Sequence, residues 1–117
     1  MATPMGLAHG PYTLTVDGAN KAVLYKSPGA YALGKMGADN VFYIDYVGRS
    51  DEDVADRLRK HAPEPYQQFF FGYYNDAQAA HAKECWLYHT FKPKDNRVHP
   101  AKPKNSRLSC PECGFLG

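Results

Sequence analysis

Apolar and polar positions alternate in short blocks along this 117-residue chain, without any single long period. Residues 12 to 16 (Tyr-Thr-Leu-Thr-Val) and 22 to 26 (Ala-Val-Leu-Tyr-Lys) are strand-like runs around Asp17-Gly18-Ala19-Asn20, which has turn chemistry, and they predict an N-terminal β-hairpin. A second strand pair, residues 29 to 33 and 41 to 47, brackets the Gly-rich stretch 34 to 40 and predicts a central hairpin. Ser50 followed by Asp53 has the chemistry of a helix start, and Val54, Leu58 and Ala62 recur at four-residue spacing, so a helix is expected over about 51–62. Pro63 and Pro65 end it, because each lacks an amide hydrogen. Residues 67 to 74, with Phe69-Phe70-Phe71, read as a buried strand, and the Ala-rich, Pro- and Gly-free run from Asp76 to Thr90 reads as a longer helix. After Phe91, the prolines at 93, 100 and 103 predict an extended arm leading to Cys110-Pro111-Glu112-Cys113.

These elements describe an α/β (α+β) fold in which helices flank a small central three-stranded sheet. One domain over 1–117 is expected, with a hairpin extension over 1–28, a core over 29–91 and a basic arm with a CxxC knuckle over 92–117. The chain has no apolar run of membrane-spanning length and no basic segment followed by an apolar one at its start, which predicts a cytoplasmic protein without a membrane partner. A formal charge of +2 says little about partners, but its distribution is uneven. Lys92, Lys94, Arg97, Lys102, Lys104 and Arg107 face only Asp95 between residues 92 and 107, a basic strip that is either a solvated tail or a phosphate-gripping surface. Three cysteines argue against a disulfide framework and turn attention to metal binding.

The chemistry-bearing residues fall in a definite order. Tyr31 and Tyr46 lie one on each strand of the central hairpin, where period-two alternation puts both hydroxyls on one side of the sheet. Gly29 and Gly48 flank them and permit close backbone approach. Arg57 and His61 stand four apart and share a helical face. Glu84 interrupts an apolar helix beside Trp86 and Leu87, and a carboxylate turned inward there needs a partner or a metal. Taken one at a time, these are ordinary packing tyrosines, helix-surface charges and a solvated glutamate.

As an ordered set, Gly29-Ala30-Tyr31, Tyr46-Val47-Gly48, Arg57, His61 and Glu84 resemble the GIY-YIG nuclease family, and the resemblance covers residues 29 to about 96. Asn96 is the candidate for the family's late asparagine. Alanine replaces the isoleucine of the first motif, and Tyr31 and Tyr46 are fifteen residues apart, a little more than is usual; a Gly-rich loop absorbs that spacing at small entropic cost. The resemblance implies phosphodiester hydrolysis of DNA, double-stranded or branched, at one Mg²⁺ or Mn²⁺ held by Glu84. Tyr31 by preference helps deprotonate the attacking water, with His61 as relay; Arg57 offsets phosphoryl charge and Tyr46 orients the water. DNA contacts are expected from Arg49, Lys92, Lys94, Asn96, Arg97, Lys102 and Lys104, in a monomer or weak homodimer. The competing reading is an inactive, zinc-stabilised nucleic-acid-binding module of the same fold. A protein whose aromatic residues merely fill a core would explain neither Glu84 nor the Cys/His set.

A second metal set is legible apart from the resemblance. Cys85 and His89 are four apart on the predicted last helix, and with Cys110 and Cys113 they supply three thiolates and one imidazole for a structural Zn²⁺. His99 and His81 are substitute ligands, and a redox role for Cys110 and Cys113 is the alternative.

Overall fold

The computed structural model describes residues 6–103 and 109–114, and over these the chain is α+β. The elements run β1 (His9–Thr13), α1 (Val16–Ala22), β2 (Gly29–Met36), β3 (Phe42–Ser50), α2 (Val54–His61), β4 (Gln68–Tyr73) and α3 (Ala77–Phe91). All strand pairings are antiparallel, in the order β1-β4-β2-β3. The sheet therefore has four strands where the sequence suggested three.

The fourth strand comes from the segment expected to form a hairpin. Residues 9 to 13 pair with β4, and Asp17-Gly18-Ala19-Asn20, expected as a turn, lies inside α1. Local chemistry explains the change: the Thr15 hydroxyl caps the helix by accepting from the Gly18 amide at 2.8 Å, and Asp17 pairs with Lys21 one turn on at 3.0 Å. The cap and the i,i+4 pair favour helix against the turn propensity of the Asp-Gly dipeptide. The helix expected over 51–62 begins at Val54 with Asp53 as its N-cap, while the Ser50 hydroxyl accepts from the Asp53 amide at 2.9 Å and shapes the loop before it. The long helix matches expectation within a residue at each end.

The alternation of β2 sorts the core into two layers. Tyr31 and Leu33 face α1 and α2, where they meet Val54, Leu58, Phe69 and Phe71. Ala30 and Ala32 face α3 and pack with Val47 and Leu87, and their small side chains let that helix lie close to the sheet. Among the described residues no helix is long and apolar enough to cross a membrane.

Candidate functional site

A cleft of about 620 Å³ opens along β3, the edge strand of the sheet. Tyr46, Gly48, Arg57 and Glu84 line one side, and the segment from Asn96 to Ala101 forms the other. The cleft straddles the strand edge, since Tyr46 packs with the α2 layer whereas Val47, one residue on, packs with the α3 layer.

The two tyrosines share a face as period two requires. Tyr31 is paired in register with Gly48, and Tyr46 with Leu33. Gly48 is required by packing: a Cβ there would lie 2.4 Å from the Tyr31 hydroxyl. Gly29 answers a different demand, since a Cβ there would meet the Gly72 carbonyl at 2.7 Å and Val54 at 2.8 Å, where α2 begins against the sheet. Tyr31 is 0 % exposed, so its hydroxyl stands behind Gly48 and not in the open cleft, whereas Tyr46 is half-buried and lines it.

Behind the tyrosines runs a hydrogen-bonded chain. The Tyr31 hydroxyl lies 2.8 Å from His61 Nε2, and His61 Nδ1 lies 2.8 Å from Glu64 Oε1. With the Glu64 carboxylate accepting from Nδ1–H, Nε2 is the acceptor for the phenol proton. The His61 ring sits between both phenols, 5.4 Å from Tyr31 and 5.2 Å from Tyr46 by ring centroids. Burial pushes the Tyr31 phenol above its ordinary range, with the neighbouring Tyr46 adding to the shift; the charge and hydrogen bond of Arg57 pull it back. Tyr46 is raised for the same first reason, with Glu84 adding to it and Arg57 opposing. Glu64 was not anticipated, although its place three residues after His61, just past the helix end, was the available signal.

Glu84 is buried as expected of an inward-facing carboxylate, 8 % exposed. Burial pushes its pKa up to about 7, against the opposing charge and hydrogen bond of Arg49. The Arg49 guanidinium donates to Glu84 Oε1 at 2.8 Å and to Asp51 Oδ1 at 2.6 Å, and it also reaches the Ala101 carbonyl. Among the described residues Glu84 Oε2 takes no hydrogen bond, and Asp51, Glu52, Asp53, Asp56 and Asp95 add negative charge to the cleft lining. Among the described residues no three of these carboxylates come together closely enough to hold one ion.

The residues expected to grip DNA divide into three groups. Arg49 is held inside the cleft with its side chain 11 % exposed, because two carboxylates and a carbonyl claim it. Asn96 is also engaged: its Oδ1 accepts from the Val47 amide at 2.8 Å and its Nδ2 donates to the Val47 carbonyl at 2.9 Å, so its amide closes the free edge of β3. Lys92, the left-handed residue that ends α3, and Arg97 are exposed, as is Lys94, which lies 3.9 Å from Asp45. Lys102 is partly buried, and Lys104 and Arg107 fall outside the described residues.

Near the C-terminal end of α3, His89, His99, Cys110 and Cys113 bring their donor atoms within 4.8 Å of one another, a His₂Cys₂ group that could hold a metal such as zinc. Three expected ligands are present, but His99 takes the place expected for Cys85. Cys85 is wholly buried, 3.4 Å from His81 Nε2 and hydrogen-bonded to Cys110. Burial first, and then Cys110 and Glu84, hold its thiol far above the usual range. Burial opposes ionisation at Cys110 too, yet hydrogen bonds from the amides of Glu112 and Cys113 and from both neighbouring thiols leave its pKa lowered. The helical i,i+4 spacing of Cys85 and His89 is real, but Cys85 faces the core next to Cys110 while His99 reaches in from the arm.

No family model, curated protein or solved structure matches this chain, so the site is defined by its own geometry.

Proposed function

We propose that the protein is a divalent-cation-dependent endonuclease that hydrolyses DNA phosphodiester bonds in the manner of the GIY-YIG nucleases, with a structural Zn²⁺ at the His/Cys group. The observation that carries this reading is the Glu84 carboxylate, buried at the wall of a cleft that Tyr46 and Arg57 also line, with the Tyr31–His61–Glu64 chain behind them. Glu84 would hold Mg²⁺ or Mn²⁺, which supplies a Lewis acid for the phosphoryl and leaving oxygens. Tyr46 orients the attacking water. Tyr31 would take the water proton once its hydroxyl, closed off behind Gly48 in this structure, is opened to the cleft, passing its own proton to His61 Nε2, so a phenol whose pKa is raised by burial need never accumulate as phenolate. Glu64 stabilises the resulting imidazolium, and Arg57 offsets charge developing on the phosphoryl oxygens. Exposed Arg97 in the cleft lining, with exposed Lys92 at the end of α3, would hold the backbone of duplex or branched DNA, giving affinity that falls with salt.

One feature favours the reading as a binding module without activity: Arg49 already neutralises the carboxylate that the cation needs. Incubation of plasmid and branched DNA with Mg²⁺ separates the two. The nuclease reading expects cleavage by the wild type, none by Glu84→Ala, a drop of about 10²–10⁴-fold for Tyr31→Phe as a lost proton acceptor, and about 10²–10³-fold for Arg57→Ala. Equal behaviour of wild type and Glu84→Ala would remove the catalytic assignment and leave the binding module.

A further inference from the structure

The far wall of the cleft is a segment without helix or strand, held at two ends. At the β3 end, the Asp95 amide donates to the Asp45 carbonyl at 3.0 Å, the Tyr66 hydroxyl donates to Asp95 Oδ2 at 2.8 Å, and Asn96 takes both backbone groups of Val47. At the other end stands His99, whose ring belongs both to the cleft wall and to the His₂Cys₂ group. We propose that a Zn²⁺ ion bound by His89, His99, Cys110 and Cys113 fastens residues 95–101 in place as the wall of the cleft. The consequence for hydrolysis rests on the function proposed above; the ion and the wall do not.

Two of the six edges between donor atoms are close to those of a tetrahedral site. Zn–N bonds of about 2.0–2.1 Å and Zn–S bonds of about 2.3 Å give tetrahedral edges of about 3.3 Å between nitrogens and about 3.6 Å between nitrogen and sulfur. His89 Nε2 and His99 Nε2 are 3.1 Å apart, and His99 Nε2 and Cys113 Sγ are 3.4 Å apart. Both edges lie about 0.2 Å short of the ideal. The tautomer is also set, since His99 Nδ1 lies 2.9 Å from the Pro100 carbonyl and donates to it, leaving the Nε2 lone pair for a metal. At Cys110, amides of the knuckle converge on the sulfur, and the Gly114 amide closes the turn on the Cys110 carbonyl at 2.8 Å.

Without an ion the four donor groups are joined only by hydrogen bonds, such as those of His99 Nε2 with His89 Nε2 and Cys113 Sγ, in place of metal bonds, so the far end of the wall is more weakly anchored. The effect carries into the cleft, because Ala101, two residues past His99, offers its carbonyl to the guanidinium that holds Glu84. A zinc ion outside the cleft thus sets the orientation of a carboxylate inside it.

The test uses the full-length wild-type protein. Metal analysis is expected to give one Zn²⁺ per chain, and Co²⁺ exchanged into the site should show the visible bands of tetrahedral coordination together with thiolate charge transfer. Hydrogen exchange at the Val47 amide, which bonds to Asn96, should quicken at least tenfold when a chelator removes the metal and recover when Zn²⁺ returns, while the Phe71 amide in the sheet interior stays slow. Cys85→Ser should keep the cobalt spectrum, and His99→Ala and Cys113→Ser should lose it. If those variants fail to fold, the wild-type chelation result still decides. Substoichiometric metal, loss of the spectrum in Cys85→Ser with retention in His99→Ala, no change at Val47, or Val47 and Phe71 rising together would each overturn the proposal. None of these readouts is DNA cleavage, so failure of the nuclease reading and failure of the zinc-held wall are separately visible.

Discussion

The close approach of Tyr31 to Gly48 yields the sharpest quantitative prediction, through the substitution Gly48→Ala. The new Cβ would lie 2.4 Å from the Tyr31 hydroxyl, 2.6 Å from Cζ and 2.9 Å from Cε2, where ordinary contact begins at 3.4 Å. The ring would have to retreat by roughly 1 Å inside a close-packed core, an overpacking that costs about 1–3 kcal/mol. Tyr31 has no exposed surface into which to move, and its retreat also breaks the bond to His61, adding about 1 kcal/mol. The expected destabilisation is therefore about 2–4 kcal/mol, read from urea denaturation midpoints at constant slope. Tyr31→Leu supplies the control, because leucine lacks all three crowding atoms. In that background Gly48→Ala should become neutral, or stabilising by about 0.5–1 kcal/mol, since alanine is better than glycine in a strand interior. The four-protein cycle subtracts the separate cost of Tyr31→Leu. A cost for Gly48→Ala that is the same in both backgrounds, or absent in the wild type, would refute the steric account of the second motif's glycine.

Two further predictions concern stability. Burial raises the Glu84 carboxyl from 4.5 to about 7, so the folded state binds its proton more tightly than the unfolded state does. Its contribution to stability is complete below pH 4.5 and lost as pH rises through 7, a loss of about 3 kcal/mol at 1.36 kcal/mol per pH unit. Glu84→Gln cannot titrate, so in buffer free of divalent cations its stability should improve relative to the wild type by that amount between pH 4.5 and pH 8; parallel pH profiles would contradict the buried-carboxylate account. Asn96→Ala leaves the Val47 amide and carbonyl without their partner and should cost about 1–3 kcal/mol, measured by denaturation, with the largest increase in hydrogen exchange at Val47.

What could be read from the sequence depended on the range of the interactions involved. The shared face of Tyr31 and Tyr46 on the central hairpin follows from strand alternation, and the placement of Arg57 and His61 follows from the helical period. The 9–22 region was misread because two local signals compete there: Asp17-Gly18 favours a turn, while the Thr15 cap and the Asp17–Lys21 pair favour a helix. Packing against α2 tips the balance toward helix, and that packing is invisible in a one-dimensional pattern. The long-range partners of Arg49 and Asn96 were hidden for a related reason. A basic or amide side chain in a charged stretch reads as a surface contact until a partner far along the chain claims it, and those partners lie 35 residues away for Arg49 and 49 for Asn96. The replacement of Cys85 by His99 belongs to the same class, because a helical i,i+4 pair is visible in sequence and a loop folding back onto that helix is not.

The common element behind these long-range partners is the exposed edge of β3. An edge strand leaves unpaired amides and carbonyls that invite pairing with another chain, so a stable protein covers it. Here the cover is the 95–101 segment, with Asn96 supplying from its side chain the donor and acceptor that a fifth strand would have supplied from its backbone. A side-chain cover differs from a strand in one respect that matters for chemistry. It touches the edge at Asp45 and Val47 and then diverges, leaving a cleft of about 620 Å³ between the cover and the strand end that carries Gly48 and Arg49. A continuous strand would have filled that space. The separation must then be maintained without the regular hydrogen bonds of a ladder, and the described contacts that hold the diverging end are Arg49 on the Ala101 carbonyl and His99 within the His₂Cys₂ group. The same covering segment therefore protects the sheet edge, shapes the cleft and links the His/Cys group to Glu84, so a substitution anywhere from Asn96 to His99 should register at Glu84 before it registers in the core.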